Sequence, residues 1–216
     1  MPAPPITSDM LTQDVIATQQ QLLDVFDSPR GVSLQKESVA ITDLERAFIE
    51  ASAFYLLSTA SAAGVCDVSP RGDPAGSVVV VDDRTLLLPD RAGNNRIDSL
   101  QNIVANPQIG LLFLVPGCDE TLRVNGTATL TTNPAVLSAL AMQDKPPRLA
   151  IVVRTEEVFM HCARAFRRSH LWDPATWPEP GTVPQMPAIL KQKLAMPEPV
   201  ETIAADREER YRTTLY

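Results

Sequence analysis

Apolar positions along this chain follow two rhythms. Between residues 55 and 153 they come mostly in short runs, each closed by turn residues, which is how strands read. Tyr55–Ser61 is such a run, and Ala62-Ala63-Gly64 follows it as a tight turn. Val65–Val68 leads into the loop Ser69-Pro70-Arg71-Gly72-Asp73-Pro74. Gly76–Val81 carries four consecutive valines, as a strand buried on both faces does, and Asp82-Asp83 turns it back into Arg84–Leu88 as a hairpin. Ile109–Val115 ends at Pro116-Gly117, Thr121–Thr131 alternates Leu122 and Val124 with Arg123 and Asn125, and Leu149–Val153 is the last run.

The second rhythm is helical. Val15, Ile16, Leu22, Leu23 and Phe26 predict a helix within Gln13–Phe26, broken by Asp27-Ser28-Pro29-Arg30-Gly31. Thr42 with Glu45 three residues later is a capping box, opening a helix through Leu44, Ala47, Phe48 and Ile49. Short helices are predicted from Ser99 to Asn106 and from Asn133-Pro134, with proline at its favoured first position. Glu156–Ser169 reads as an amphipathic helix with Val158, Phe159, Cys162 and Phe166 on one face. Seven prolines between Pro174 and Pro199 predict an extended, wrapping course, and Ala204–Arg212 has helical composition with little apolar face. Strand following strand across short turns, with one small helix inserted, predicts a mainly β protein with added helices. A meander or Greek-key barrel fits this order, and a βαβ sheet does not.

Charge and composition narrow the classes. A net charge of −7 speaks against general nucleic-acid binding. No apolar run approaches the roughly 20 residues of a membrane span, and the N-terminus lacks a signal-peptide pattern, so a cytoplasmic protein is expected. Cys66, Cys118 and Cys162 have no C-x-x-C spacing and read as free thiols. His161 and His170 are too few for a zinc-type ligand set, so no metal is implied.

The chemistry concentrates in residues 86–102, LLLPDRAGNNRIDSLQN. A short strand ends at Pro89, and a polar loop follows with Arg91, Gly93, Asn94, Asn95 and Arg96 before a helix begins near Ser99. Strand, Arg/Gly/Asn loop and helix start together present guanidinium groups and free backbone N–H groups to one anion, most simply a phosphate. The alternative is a solvated, well-capped connection in which Arg96 pairs with Asp98. Neither a Walker loop nor a dinucleotide fingerprint is present.

Four blocks in order, SPRGD (Ser69–Asp73), LPDRAGNNRIDSLQNI (Leu88–Ile103), ANPQIGLLFLVPG (Ala105–Gly117) and ETLRVNGTATL (Glu120–Leu130), resemble the pyridoxamine 5′-phosphate oxidase-like, FMN-binding split-barrel proteins. The likeness runs from about Leu44 to Trp172, and HCARAFRRSHLW (His161–Trp172) is similar to a bacterial branch described as probable FMN-dependent enzymes. The resemblance implies a six-stranded antiparallel Greek-key split barrel over residues 44–172; outside it the residues themselves suggest a helical extension over 1–43 and a proline-rich tail over 173–216. It further implies a homodimer with FMN at the interface, and an oxidoreductase moving hydride at flavin N5 to or from an unidentified small molecule.

By the same resemblance, Arg91, Asn95, Arg96 and Ser99 would hold the FMN phosphate, with Arg96 the main partner and Pro89 bordering the loop. Arg71 would sit near N1 and O2 of the flavin, with Ser77 and Val78 along the ring. The alternative for Arg71 is a turn arginine in solvent, with Asp73 of the same loop as its ordinary salt-bridge partner. Thr121 and Arg123 would reach the flavin of the other subunit, and Trp172 would stack over the ring or close the core. No catalytic nucleophile or base is identified. The oxidases carry an arginine-lysine pair where this chain has Asp98-Ser99, so oxidation of pyridoxamine phosphate is not expected. Competing readings are a non-catalytic flavin-binding protein, a haem protein with His161 or His170 as axial ligand, and a deazaflavin protein.

Overall fold

The computed structural model describes residues 6–26, 31 and 36–215, and the chain falls into two compact units, Met1–Glu37 and Ser38–Tyr216. In the first, a 3-10 turn (Ser8–Thr12) precedes a helix α1 (Gln19–Val25), and neither contributes a buried side chain. The helix starts later than the apolar spacing suggests, because Thr18 caps it and forms a capping box with Gln21. The break expected at Asp27–Gly31 lies, apart from Gly31, outside the described residues.

The second unit opens with α2 (Asp43–Ala51), capped by the expected Thr42–Glu45 box. Seven strands follow: β1 (Phe54–Ala60), β2 (Cys66–Gly72), β3 (Val79–Asp82), β4 (Thr85–Asp90), β5 (Gln108–Leu114), β6 (Thr121–Thr131) and β7 (Leu149–His161). Between β4 and β5 lies α3 (Asp98–Ala105), and between β6 and β7 lies α4 (Pro134–Ala139). All form one antiparallel sheet in the order β2-β1-β5-β6-β7-β4-β3. The described strands are seven, as many as the apolar runs of the sequence and one more than the resemblance implies, and the run at Val65–Val68 extends to Gly72 because the chain pairs with β1 from Cys66 to Gly72. Ser69, Pro70, Arg71 and Gly72, expected in a loop, therefore belong to β2. Proline is tolerated there because β2 is an edge strand.

The sheet curls around one core. Leu57, Leu86, Leu88, Leu111, Phe113, Leu122, Val124, Ile151, Val153 and Val158 are fully buried, and Ile49 of α2 and Ile103 of α3 join them. Burial of side chains of this size favours folding by about 1.5–3 kcal/mol each. The strand β2 at one edge is brought back to β4, one place from the other edge, by the ion pair Arg71–Asp90 at 2.7 Å. The barrel is thus closed across a polar seam rather than by backbone hydrogen bonds.

Two sequence expectations change. The helix expected over 156–169 is strand as far as His161, with a helix α5 only over Arg164–Ser169. Pairing with β6 from Thr121 to Thr131 outweighs the helical spacing of Val158, Phe159 and Cys162. The tail is not extended throughout: after a 3-10 turn at Pro174–Thr176 it forms α6 (Met186–Leu194) and α7 (Val200–Thr214). Pro187 sits within the first turn of α6 and Pro199 just ahead of α7, where proline costs no helical hydrogen bond.

Candidate functional site

The seam opens into a cleft of about 900 Å³, within the range of small-molecule and cofactor sites. Its walls are β2, the end of β4, the 91–97 loop, the start of α3 and the start of β7. Arg71, Ser77, Pro89, Arg91, Asn95, Arg96 and Ser99, drawn from three separate sequence blocks, all line it.

The loop is shaped by its asparagines. Asn94 Oδ1 accepts from the Arg96 backbone N–H at 3.1 Å, the turn that asparagine favours. Asn95 has φ +57° and Ile97 φ +55°. A β-branched residue in the left-handed region is strained, by about 1–3 kcal/mol, and such strain gathers at ligand sites. Ile97 is also the N-cap of α3 and supplies no side-chain cap, so the first N–H groups of that helix are left to another acceptor.

Charges in the cleft are largely matched. Arg71 Nη1 bonds Asp90 Oδ1 at 2.7 Å, and Arg91 Nε bonds Asp73 Oδ2 at 2.5 Å. Asp73 therefore pairs with Arg91 and not with Arg71, the reverse of the sequence expectation. The two pairs run in opposite senses across the seam, from strand β2 and the turn after it to β4 and the loop after it. Arg91 also donates from Nη2 to the Leu140 carbonyl at 2.9 Å. Arg96 pairs with Asp98 at 2.7 Å, and its side chain is 72% exposed. Ser99, buried, donates to Asp67 Oδ2 at 2.7 Å and lies 3.2 Å from Ser69 Oγ.

One buried side-chain donor of a cleft residue also lacks a partner among the described residues. Arg71 Nε is buried with no hydrogen-bond partner among the described residues, a costly state that an acceptor on a ligand would relieve. Beside Arg71 in the β1–β2 register stands Tyr55, which packs on Phe113 with ring centroids 5.2 Å apart. Burial pushes the Tyr55 phenol well above its ordinary range, and the Arg71 guanidinium pulls the other way.

The remaining expected residues lie elsewhere. Val78 is 2% exposed in the core and does not border the cleft. Thr121, Arg123 and Trp172 gather around the 118–123 segment: Thr121 pairs with Leu114 and His161, and Trp172 donates from Nε1 to the Cys118 carbonyl at 2.8 Å. Trp172 also stacks on Phe166 at 5.7 Å. Arg123 bonds Glu157 at 2.7 Å, lies 4.2 Å over the Phe159 ring and keeps a buried Nε without a partner. His161, expected on a helix, ends β7, its ring 5.0 Å from that of Phe159. Sequence reasoning missed Tyr55, Asp67 and Arg148 as cleft residues. Alternation in the strands places Asp67 on the face of Ser69 and Arg71, whereas nothing local marks Arg148.

Among the described residues no group of three His, Cys, Asp or Glu side chains is placed to hold a metal, and no helix is long and apolar enough to cross a membrane.

No curated protein matches the sequence. Similar solved structures include HupZ of Group A Streptococcus, at 22% identity over 56% of this chain and 93% of that one, TM-score 0.45. General Stress Protein 26 of Bacillus anthracis is 13% identical over 53% and 88%, TM-score 0.41. An FMN-binding protein of Syntrophomonas wolfei is 13% identical over 54% and 83%, TM-score 0.41. The family model described as pyridoxamine 5′-phosphate oxidase matches residues 41–162, more than half of the chain. That span takes in every strand, the 91–97 loop and the cleft walls, and the chain belongs to the pyridoxamine 5′-phosphate oxidase family.

Proposed function

We propose that the cleft binds FMN and that the protein is an FMN-dependent oxidoreductase acting on a small molecule. The observation that carries the reading is the unsatisfied buried Nε of Arg71 in the same cleft as the uncapped start of α3 and the Arg/Asn loop. One end of the cleft offers N–H groups and Arg96 to a phosphate, and the other offers a guanidinium donor to the polar edge of a ring.

FMN supplies hydride exchange at its N5. The protein's part is positioning and electrostatics. Arg96 turns from Asp98 to the phosphate, an exchange made easy by the exposure of that pair. Asn95 and the α3 N–H groups complete the phosphate cradle, and Ser99 joins it by releasing Asp67. Arg71, held at Nη1 by Asp90, would offer Nε to the polar edge of the ring, where its charge would favour added electron density. Ser77 and Pro89, which line the cleft, would wall the ring.

Thr121, Arg123 and Trp172 do not border the cleft of their own chain. In this proposal they serve the flavin of a second copy, in a homodimer with FMN at the interface. The outward face of β1 and β2, with Phe54 39% and Val68 60% exposed, supplies apolar area for that contact.

An absorbance spectrum of the purified protein, before and after adding FMN, tests the reading. Flavin bands in the wild type that weaken in Arg96→Ala support it. A Soret band would point to haem, and a colourless protein that ignores FMN would sink the proposal.

A further inference from the structure

Two unsatisfied donors meet at one end of the cleft. Strands β1 and β2 are paired so that Tyr55 stands opposite Arg71, Leu57 opposite Ser69 and Thr59 opposite Asp67. Directly opposed residues hold their Cβ atoms about 5 Å apart. Tyr55 and Arg71 both line the cleft. Arg71 Nε is buried without a partner among the described residues, and the Tyr55 hydroxyl makes no hydrogen bond among them either. The Tyr55 ring is 5% exposed and packs on the fully buried Phe113, so the hydroxyl is its polar end toward the cleft. A tyrosine as buried as this usually finds a partner for its hydroxyl.

The surrounding charge decides what the pair can hold. Asp90 neutralises Arg71 and Asp73 neutralises Arg91, so the four groups whose charges act on Tyr55 sum to zero. Burial keeps the phenol protonated, and it is therefore available as a donor beside the guanidinium N–H. This end of the cleft offers two donors and no surplus positive charge. A carboxylate or phosphate placed there would face Asp73 and Asp90 with no cation of its own, whereas an uncharged carbonyl oxygen has two lone pairs for two donors. The start of α3 lies at the other end of β2: Ser99 bonds Asp67, four residues from Arg71 or about 13 Å of strand. An anionic group at α3 and an acceptor at Tyr55 are accordingly separate groups.

We infer that Tyr55 binds the cofactor: its hydroxyl joins Arg71 Nε in donating to one carbonyl oxygen, the C2 carbonyl at the pyrimidine edge of the flavin. The inference rests on the flavin reading above and adds to it a residue of β1. It also sets the class of ring that the cleft takes. Two donors aimed at one position accept a carbonyl and reject an amino group, which would set donor against donor there. The pair therefore selects a 2-oxo pyrimidine ring over a 2-amino one.

The test reads the ring apart from the phosphate. Wild-type protein, Tyr55→Phe and Arg96→Ala are titrated with FMN and with lumiflavin, which has the same ring and no phosphate. Tyr55→Phe keeps the ring that packs on Phe113 and removes only the hydroxyl, so its melting temperature at neutral pH should equal that of the wild type. The expected result is an affinity about fivefold weaker in Tyr55→Phe for both flavins alike. Arg96→Ala should weaken FMN and leave lumiflavin unchanged. Infrared spectra of bound FMN isotopically labelled at C2 give the position: the C2 carbonyl band should move to higher frequency in Tyr55→Phe, with the C4 carbonyl band unmoved. Unchanged lumiflavin affinity, or a C2 band that stays in place, overturns the inference. So does a loss confined to FMN, which would put Tyr55 at the phosphate end. A wild type that binds lumiflavin but not FMN sinks the phosphate cradle alone, and Tyr55 is then judged on lumiflavin. A wild type that binds neither overturns both readings.

Discussion

At the scale of single residues, the site is a set of charged groups held in place by one another. Arg71, Asp73, Asp90 and Arg91 form two ion pairs of opposite sense over the barrel seam, and Tyr55 feels the charges of all four. Burial favours the neutral phenol of Tyr55 in the folded state, so its pKa is raised on folding. The sign of the pH effect follows. Its contribution is fully present below the unfolded tyrosine value near pH ~10 and is lost as pH rises above it, because only the unfolded chain then ionises readily. Melting temperature measured from pH 8 to 11 should therefore fall above about pH 10. The fall should be shallower in Tyr55→Phe; equal slopes would show that other groups carry it. Arg91 and Arg96 were legible as cleft residues because arginines gathered in a Gly/Asn loop of an acidic chain point to a local anion site, and Arg71 through the resemblance carried by its SPRGD block. Their partners were less so. That Asp73 serves Arg91 rather than Arg71 depends on β2 and β4 meeting across the seam, a contact between distant segments that spacing does not encode. Arg148 was illegible for the same reason.

At the scale of elements, most strands announced themselves through β-branched runs and short turns, and the Thr42–Glu45 and Asn133-Pro134 helix starts through their capping chemistry. The second half of β2, Ser69–Gly72, did not, since an edge strand tolerates proline and glycine that would argue against a central one. Nor did the length of β7. Its register with β6 shifts between Asn125 and Gly126, and beyond that bulge the ladder runs on to His161. Bulges bend a strand and increase its twist, so a long strand that turns in space need not show one clean alternation. Gly126 makes the bend feasible, because a Cβ there would collide with the Arg154 carbonyl oxygen. Gly126→Ala is expected to cost about 3 kcal/mol, lowering the melting temperature by roughly 6–12 °C. An unchanged melting temperature would mean that the β6–β7 pair can open without loss, against the close packing argued here.

At the scale of the whole molecule, the family assignment and the barrel agree: the matched span, 41–162, begins at Ile41, just ahead of α2, and ends one residue after β7. The first unit lies outside that span, and its described helical turns bury no side chain. The central claim is that the seam cleft holds the phosphate of a flavin mononucleotide. Its most direct test is a pair of titrations, FMN and riboflavin, on the same purified protein. The two ligands share the ring and differ in the phosphate alone. FMN should bind at least about tenfold more tightly than riboflavin, with Arg96→Ala narrowing the gap. Equal affinity for the two flavins, or a gap that Arg96→Ala leaves untouched, would contradict the account.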